Sequence, residues 1–519
     1  MNRQRLPLGA QTFREIRETD CYYVDKTALI HRLVSRGRRY FLSRPRRFGK
    51  SLLVHTLKDL FEGNEPLFKG LFIHDNWDWS IRHPVLRLSF NGTFTCPEDI
   101  ERSAIMQLSI IERNAGLEVI PSETAQDYLL DLLDRLHHAT GQQVVVLVDE
   151  YDKPILDVID NKQMALAIRE KLHGIYGIIK GSEEHVRFVL VTGVSMFTKI
   201  NLFSDLNHLD NISLHPNYAT ICGFTDKDLD TVFAPEIKGL DRNKIHDWYN
   251  GYNWCGDEKV YNPYDVLLLF ERRKFNPYWF ETGTPSFLLT LMMDRNISLL
   301  DLEKPKVSES ELSRFDVANI GSMALFFQTG YLTIVGEETS GTATIYSLDY
   351  PNFEVRDSLI RYFFEFLEPL DINISNQGHS FAELLATNEF QTFADQLGYF
   401  LAGIPYQWLG ENARKECWYA TILFGCLRMV GLDVRAEESS RRGRADMVVL
   451  HKDQVFVFEL KMAYTDKLEE TAVGAIAQIQ DRGYMDKYRH LNLTMHLIGI
   501  AFDREVKTGK SLLLKAVHA

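Results

Sequence analysis

The sequence predicts a multidomain α/β protein: a parallel sheet wound with helices over residues 1–235, a mainly helical middle region over 236–370, and a smaller α/β domain over 371–519. Three observations carry this. A chain of 519 residues exceeds what a single hydrophobic core organises. From about residue 40 to 235, short apolar runs alternate with helical stretches, the pattern of βαβ units. Beyond that the texture changes twice. Aromatics crowd the middle (WYNGYNW, NPYWF), and after the polar segment Asp371–Ser380 a pattern of helix, strand, strand, helix, strand begins.

The elements follow in order. Arg39–Ser43 (RYFLS) is a short apolar run suited to a buried strand. From Ser51, residues Leu53, Leu57, Leu60 and Phe61 recur at helical spacing. Val85–Phe90 (VLRLSF) and Arg187–Val194 (RFVLVTGV) read as strands. Val144–Val148 is a continuous β-branched and leucine run, expected where a parallel strand is buried on both faces. In the middle region, Glu303–Glu311 (EKPKVSESE) and Gly336–Thr344 (GEETSGTAT) read as linkers, and Asp371–Ser380 (DINISNQGHS) as a domain boundary. In the last domain, Met447–Leu450 and Val455–Leu460 form a predicted hairpin, flanked by helices at Glu416 and over Lys467–Arg482.

Composition narrows the class. Hydrophobic residues (45%) and charged residues (25%) stand in the proportions of a soluble globular protein. No stretch reaches the roughly 18 apolar residues of a membrane span, and the N-terminus lacks the apolar core of a secretory signal. The six cysteines form no C-x-x-C pair, so neither zinc site nor disulfide framework is expected, and reduced thiols suit a cytoplasmic protein. A net charge of −13 argues against indiscriminate coating of nucleic acid. Against that background, eight basic residues between Arg32 and Lys50, with no acidic one among them, suggest a focused anion site.

That stretch contains Ser43-Arg44-Pro45-Arg46-Arg47-Phe48-Gly49-Lys50-Ser51, set between a predicted strand and a predicted helix. A loop there turns backbone N–H groups and a helix dipole toward an anion. Gly49 lets the backbone close around phosphates, Lys50 would reach the β- and γ-phosphates, and Ser51 would ligate Mg²⁺. Arg44 stands where the first glycine of G-x-x-x-x-G-K-[ST] is expected. About a hundred residues on, VVVLVDE puts Asp149 and Glu150 at the end of a buried strand, where an acidic pair needs a cation or solvent. In a P-loop ATPase the aspartate holds the magnesium shell and the glutamate orients the attacking water. Thr192, ending the next strand, is placed to sense the γ-phosphate. These are Walker A-like and Walker B-like elements, and the expected ATP-site residues are Arg46, Arg47, Phe48, Gly49, Lys50, Ser51, Asp149 and Thr192, with Glu150 catalytic.

The runs LPLGAQTFREIRETDCYYVDKTALI, SRPRRFGKSLL and VDEYDKPI resemble the AAA-ATPase-like family of microbial proteins. So do Val260–Pro263 (VYNP), Gln328–Leu332 (QTGYL) and Tyr350–Val355 (YPNFEV). The resemblance spans roughly residues 5 to 355 and makes Arg44 ordinary, since the family's loop is similar to x-R-P-R-R-F-G-K-S. By analogy with related ATPases, the middle region would hold a winged-helix-like unit.

The last domain carries a second constellation: Arg442-Gly443-Arg444-Ala445-Asp446, then Val455–Lys461 (VFVFELK). Side chains alternate along a strand, so Glu459 and Lys461 share a face with Val455 and Val457. The hairpin would bring Asp446 beside Glu459, and two converging carboxylates suit Mg²⁺. Lys461 would position water or stabilise developing charge. Glu416 heads a buried helical stripe (Tyr419, Ala420, Leu423, Leu427), and Gln478 lies on a small-residue face with Thr471 and Ala475. The order Glu, Asp, Glu-x-Lys, Gln resembles the PD-(D/E)XK nuclease superfamily over roughly 376 to 505. This implies a restriction-endonuclease-like α/β fold with Glu416, Asp446 and Glu459 as metal ligands, Asp446, Glu459 and Lys461 catalytic, and Gln478 completing the motif. Ala445 replaces the motif's proline.

The combined expectation is an ATP-binding and ATP-hydrolysing protein coupled to a Mg²⁺-dependent nuclease. DNA is the favoured partner, approached through Arg441, Arg442 and Arg444. Membrane association is not expected, and a homo-oligomer is allowed. The alternative is an ATP-dependent switch whose nuclease-like domain only binds nucleic acid or a protein partner.

Overall fold

The computed structural model describes residues 3–10, 12–120, 122–196, 209–280, 288–289, 291–292, 295, 297–312, 321–341, 343–367, 374–403, 416–440, 443–504 and 512–518. It comprises two compact units, Met1–Thr284 with Pro305–Val355, and Pro285–Lys304 with Arg356–Ala519.

Among the described residues, the first unit is built on five parallel strands: β1 (Arg39–Ser43), β2 (Val85–Ser89), β3 (Val144–Asp149), β4 (Val186–Gly193) and the short β5 (Asp210–Asn211), in the order β2-β3-β4-β1-β5. The first four are the strands expected from the apolar runs. Every residue of β3 is buried, as a parallel strand covered on both faces requires. Helices α1 (Lys50–Phe61), α2 (Pro97–Asn114), α3 (Ala125–Thr140) and α4 (Lys162–Gly181) connect the strands. α1 buries Leu53, Leu57, Leu60 and Phe61, the stripe its spacing predicts. Leu42 pairs with Thr192 and Val148 with Val191, so the tip of β4 lies between the tips of β1 and β3. Ligands of open parallel sheets bind beyond such carboxyl ends.

The later part of this unit contains α5 (Pro263–Arg272), whose Val266, Leu269 and Phe270 pack with Tyr249 and Tyr261. It also contains a small antiparallel sheet, β6 (Lys306–Ser308), β7 (Thr333–Ser340) and β8 (Ala343–Asp349), in the order β6-β8-β7. Two stretches read as linkers contain strands here, although the chain does change units inside the first of them, between Lys304 and Pro305. Glu303–Glu311 supplies β6, and Gly336–Thr344 runs through the turn from β7 into β8. Their polarity belongs to a sheet with one wet face, and along β8 buried positions alternate toward its end. Within the stretch read as a boundary, Asp371–Ser380, α6 (Ile374–Ala386) begins at residue 374; residues 371–373 lie outside those described.

The second unit contains α7 (Phe390–Gly403), α8 (Glu416–Met429), β9 (Asp433–Ser440), β10 (Gly443–His451), β11 (Gln454–Ala463), α9 (Leu468–Arg482), β12 (Thr494–Asp503) and β13 (Leu512–His518). The sheet order is β13-β12-β11-β10-β9. β9, β10 and β11 run antiparallel, β11 and β12 parallel through the crossover helix α9, and β13 returns antiparallel. One face buries Val448, Val455 and Val457 against Ile476 and Ile479 of α9. On the other, Phe456 and Phe458 meet Phe390 and Phe393 of α7, and Phe502 stacks on Tyr419 of α8 with centroids 4.2 Å apart. The edge strands β9 and β13 are additions to the expected helix, strand, strand, helix, strand. No described helix is long and apolar enough to cross a membrane.

Candidate functional sites

The first site forms at the tips of β1, β3 and β4. Gly49 has φ of 91°, a left-handed conformation that L-residues rarely adopt, and it turns the chain into α1. Lys50 therefore opens a 12-residue helix whose first N–H groups lack intrahelical partners. Its ammonium is buried and donates to the carbonyls of Arg44 and Pro45, at 2.9 Å each. Burial pushes the Lys50 pKa down, opposed by the charges of Asp149, Asp152 and Glu150. Asp149 closes β3, buried, and Glu150 follows in a left-handed turn with φ of 55°. Burial, then the Asp149 charge, pushes the Glu150 carboxyl up. A cavity of about 590 Å³ opens among Arg47, Gly49, Lys50, Ser51, Asp149 and Glu150. These residues fit a nucleoside triphosphate: a cation and a helix start on one side, and a carboxylate pair on the other.

The other expected residues take different positions. Thr192 is fully buried and its hydroxyl donates to Asp149 Oδ1 at 2.8 Å, so it orients the carboxylate. Phe48 packs its ring against Tyr252 and Trp254, with centroids at 4.7 and 5.3 Å, and its carbonyl accepts from the Gly223 N–H at 3.2 Å. Arg46 and Arg47 are exposed, Ser51 likewise. The basic run is not one anion site. Arg36, Arg38 and Arg39 line a separate cavity with Glu183 and Asp210 at the start of β1, while Arg46, Arg47 and Lys50 follow its end. Arg44 is fully buried: its guanidinium donates to the carbonyls of Ser43 and Ser213 at 2.8 Å and of Tyr218 at 3.1 Å, and lies 4.2 Å from the Trp254 ring centre. Burial lowers its pKa to about 10.

Asp152 is a functional residue that sequence reasoning missed. It is buried and accepts from the N–H groups of Val194 and Ser195 and from the Ser195 hydroxyl, tying the turn after β3 to the end of β4. Gly193 makes room, since a Cβ there would lie 2.3 Å from Asp152 Oδ1. A second aspartate three places after Asp149 was the available signal. Arg87, His55 and Trp279 also line the cavity.

The second site lies on β10 and β11. The ladder pairs Met447 with Phe458, so the next residues outward are Asp446 and Glu459. Asp446 Oδ2 accepts from the Leu460 N–H at 2.7 Å. Glu459 is 1% exposed; its Oε1 accepts from Lys461 Nζ at 2.9 Å and from Gln478 Nε2 of α9. Its Oε2 is buried with no hydrogen-bond partner. Burial, then the charge of Asp446, pushes the Glu459 carboxyl up to about 7, opposed by Lys461. Burial works against the Lys461 charge, but Glu459 and Glu416 raise its pKa on balance.

The structure thus brings together Asp446, Glu459, Lys461 and Gln478. Glu416 joins through the ammonium, its Oε1 3.6 Å from Lys461 Nζ. Glu416 pairs with Lys461, and its charge also acts on Glu459, while Asp446 acts on Glu416. The Asp446–Glu459 pair fits a divalent cation. An orphaned buried carboxylate oxygen and a glutamate held above its usual range beside an aspartate are both relieved by positive charge. Arg444 is exposed at the start of β10; Arg441 and Arg442 lie outside the described residues.

A family described as "Predicted AAA-ATPase" matches residues 7–203, and the PD-(D/E)XK nuclease superfamily matches residues 414–511. The chain is 46% identical over 513 residues, covering 98% of both chains, to an uncharacterized protein in the vnfD 5' region of Azotobacter chroococcum mcd 1. Among solved structures, the Aeropyrum pernix ORC1 protein in complex with DNA aligns with 67% of this chain and 95% of that chain, at 13% identity and a TM-score of 0.27, a likeness too slight to bear on the argument.

Proposed function

Because the chain belongs to the family of AAA-ATPase-like proteins that carry a PD-(D/E)XK nuclease-superfamily domain, we propose that it hydrolyses ATP at the first site and cleaves nucleic acid, DNA by preference, at the second. We assign ATP binding and turnover to residues 1–235, a supporting role to 236–370, and cleavage to 371–519. Lys50 and the backbone of Arg46–Gly49 hold the phosphates, Ser51 and Asp149 hold Mg²⁺, Thr192 orients Asp149, and Glu150 orients the attacking water. At the second site Asp446 and Glu459 hold Mg²⁺, which supplies Lewis acidity to the scissile phosphate. Gln478 fixes the Glu459 carboxylate, Lys461 stabilises developing charge, and Glu416 holds Lys461.

The observation that carries the nuclease reading is Glu459: a carboxylate 1% exposed, one oxygen orphaned, beside a second carboxylate. Lys461 meets one oxygen of Glu459, and burying the other beside Asp446 is costly unless a second cation is met. The test incubates the full chain with labelled linear, circular and single-stranded DNA and with RNA, with and without ATP and Mg²⁺ or Mn²⁺. Metal-dependent cleavage that Asp446→Ala and Lys461→Ala abolish, with ATP turnover kept, is the expected result. The switch reading draws on the Lys461 ammonium already held by Glu459 and Glu416. ATP turnover without cleavage of any substrate would favour it over the nuclease.

A further inference from the structure

Two motifs from the sequence, VYNP and YPNFEV, lead into a feature that neither proposed reaction uses. Asp265 is the third residue of α5, after its N-cap Asn262, and is fully buried. Glu354 is 1% exposed. Both oxygens of Asp265 are buried without a hydrogen-bond partner, and so is the Asn262 amide nitrogen. The influences that act on Asp265 are burial, then Glu354, then the Trp279 N–H, with no cation among them, and they raise its pKa well above the usual aspartate range. Around the pair stand phenols: Tyr252, near Asp265, Glu354 and Tyr331, and Tyr249, near Glu354, Asp265 and Tyr278, each pushed up chiefly by burial. Two carboxylates in such surroundings cannot both remain ionised, but one proton held between them satisfies an acceptor on each side.

The pair sits behind the phosphate loop. The Trp279 backbone N–H donates to Glu354 Oε1 at 2.8 Å, and its indole N–H donates to the Arg46 carbonyl at 3.2 Å. Tyr264, next to Asp265 in the chain, carries the Arg47 guanidinium 4.8 Å from its ring centre. Each loop arginine is thus held by a residue fastened to one of the two carboxyls, and Tyr264 and Trp279 both line the cavity of the first site.

We propose that Asp265 and Glu354 share one proton and act as positioning residues for the phosphate loop, setting Arg46 and Arg47 through Trp279 and Tyr264. This rests on the ATP reading of the first site. Losing the proton would put two like charges between the start of α5 and Trp279, and separating them would draw both supports away from the loop. An Asn at position 265 supplies a fixed N–H donor in place of the shared proton, so it mimics the protonated pair at every pH.

Two measurements on the full chain test this. First, the infrared difference between the nucleotide-free protein and Asp265→Asn, taken near pH 8, should contain a protonated-carboxyl band; its absence overturns the shared proton. Second, fluorescent-ATP titrations across neutral and alkaline pH should show wild-type affinity falling as pH rises and Asp265→Asn holding its affinity further. Asp265→Ala, checked for folding by its melting curve, should bind about tenfold more weakly than Asp265→Asn. Equal affinities for wild type and both variants at every pH overturn the positioning role. A wild type that binds no nucleotide refutes the ATP reading and this role with it, while the infrared arm still decides whether the carboxyls share a proton.

Discussion

Metal binding at the second site should be strongly pH-dependent, with Glu459 as the titrating ligand. Its carboxyl is pushed up to about 7 by burial and by Asp446. A divalent cation binds the ionised form, so the apparent Kd is the intrinsic value divided by the ionised fraction. Between about pH 8 and about pH 6 that fraction falls roughly tenfold, and the apparent Kd rises roughly tenfold. The sign for stability runs the other way in metal-free protein. A glutamate whose folded pKa lies above its unfolded value stabilises the fold most below the unfolded pKa, and the contribution is lost as pH rises from about 4.5 toward about 7. A shift of that size is an effect of at most about 3 kcal/mol. Mn²⁺ or Mg²⁺ should reverse the trend by binding where the proton leaves. Calorimetric titration of the nucleotide-free chain at several pH values measures the first effect, and melting with and without metal measures the second. Glu459→Gln should bind metal weakly and lose most of the pH slope. An affinity for metal that stays flat from about pH 6 to 8 in the wild type would refute the assignment of Glu459 as a ligand.

Three further outcomes follow from the first site. Lys50→Ala should weaken ATP binding about 10- to 100-fold, the size of one or two hydrogen bonds to a charged group; unchanged affinity for a fluorescent nucleotide would take Lys50 out of the site. Glu150→Gln should keep binding and slow hydrolysis about a hundredfold or more, the usual reach of general-base assistance, and a phosphate-release assay at wild-type rate would assign the water to another group. Asp152→Ala leaves the N–H groups of Val194 and Ser195 without their acceptor. It should lower stability by about 2–4 kcal/mol, and a melting temperature equal to wild type would mean the turn after β3 is held by other contacts.

What the sequence made legible was what repeats locally. The apolar run of β3, the helical stripe of α1 and the alternation along β11 are each imposed by burial within one element, so a short window contains them. The second site was readable for the same reason: a hairpin closing at His451 and Gln454 puts Asp446 level with Glu459 by register alone. Edge strands failed this test. β9 is DVRAEESS, whose charges a one-sided edge tolerates, and GEETSGTAT reads as a linker although it turns a hairpin.

What a short window of sequence does not contain is a polar residue's partners when they lie far along the chain. Arg44 sits in a loop rich in basic residues, so charge alone groups it with the phosphate ligands. Its carbonyl partners lie at Ser213 and Tyr218, and once the guanidinium is buried among them it braces the loop from behind. Thr192, at a strand end, gains a partner of its own because the β3–β4 register puts Asp149 within reach of its hydroxyl. Asp265 and Glu354 are the extreme case, separated by most of the middle region and each unremarkable in its own segment. A buried carboxyl without a cation is informative only once the fold reveals both its burial and its neighbour. The chemistry of the first site is therefore built in two layers. Local motif supplies the groups that would touch ATP, and long-range packing through Arg44, Asp152, Thr192 and the Asp265–Glu354 pair fixes where those groups point.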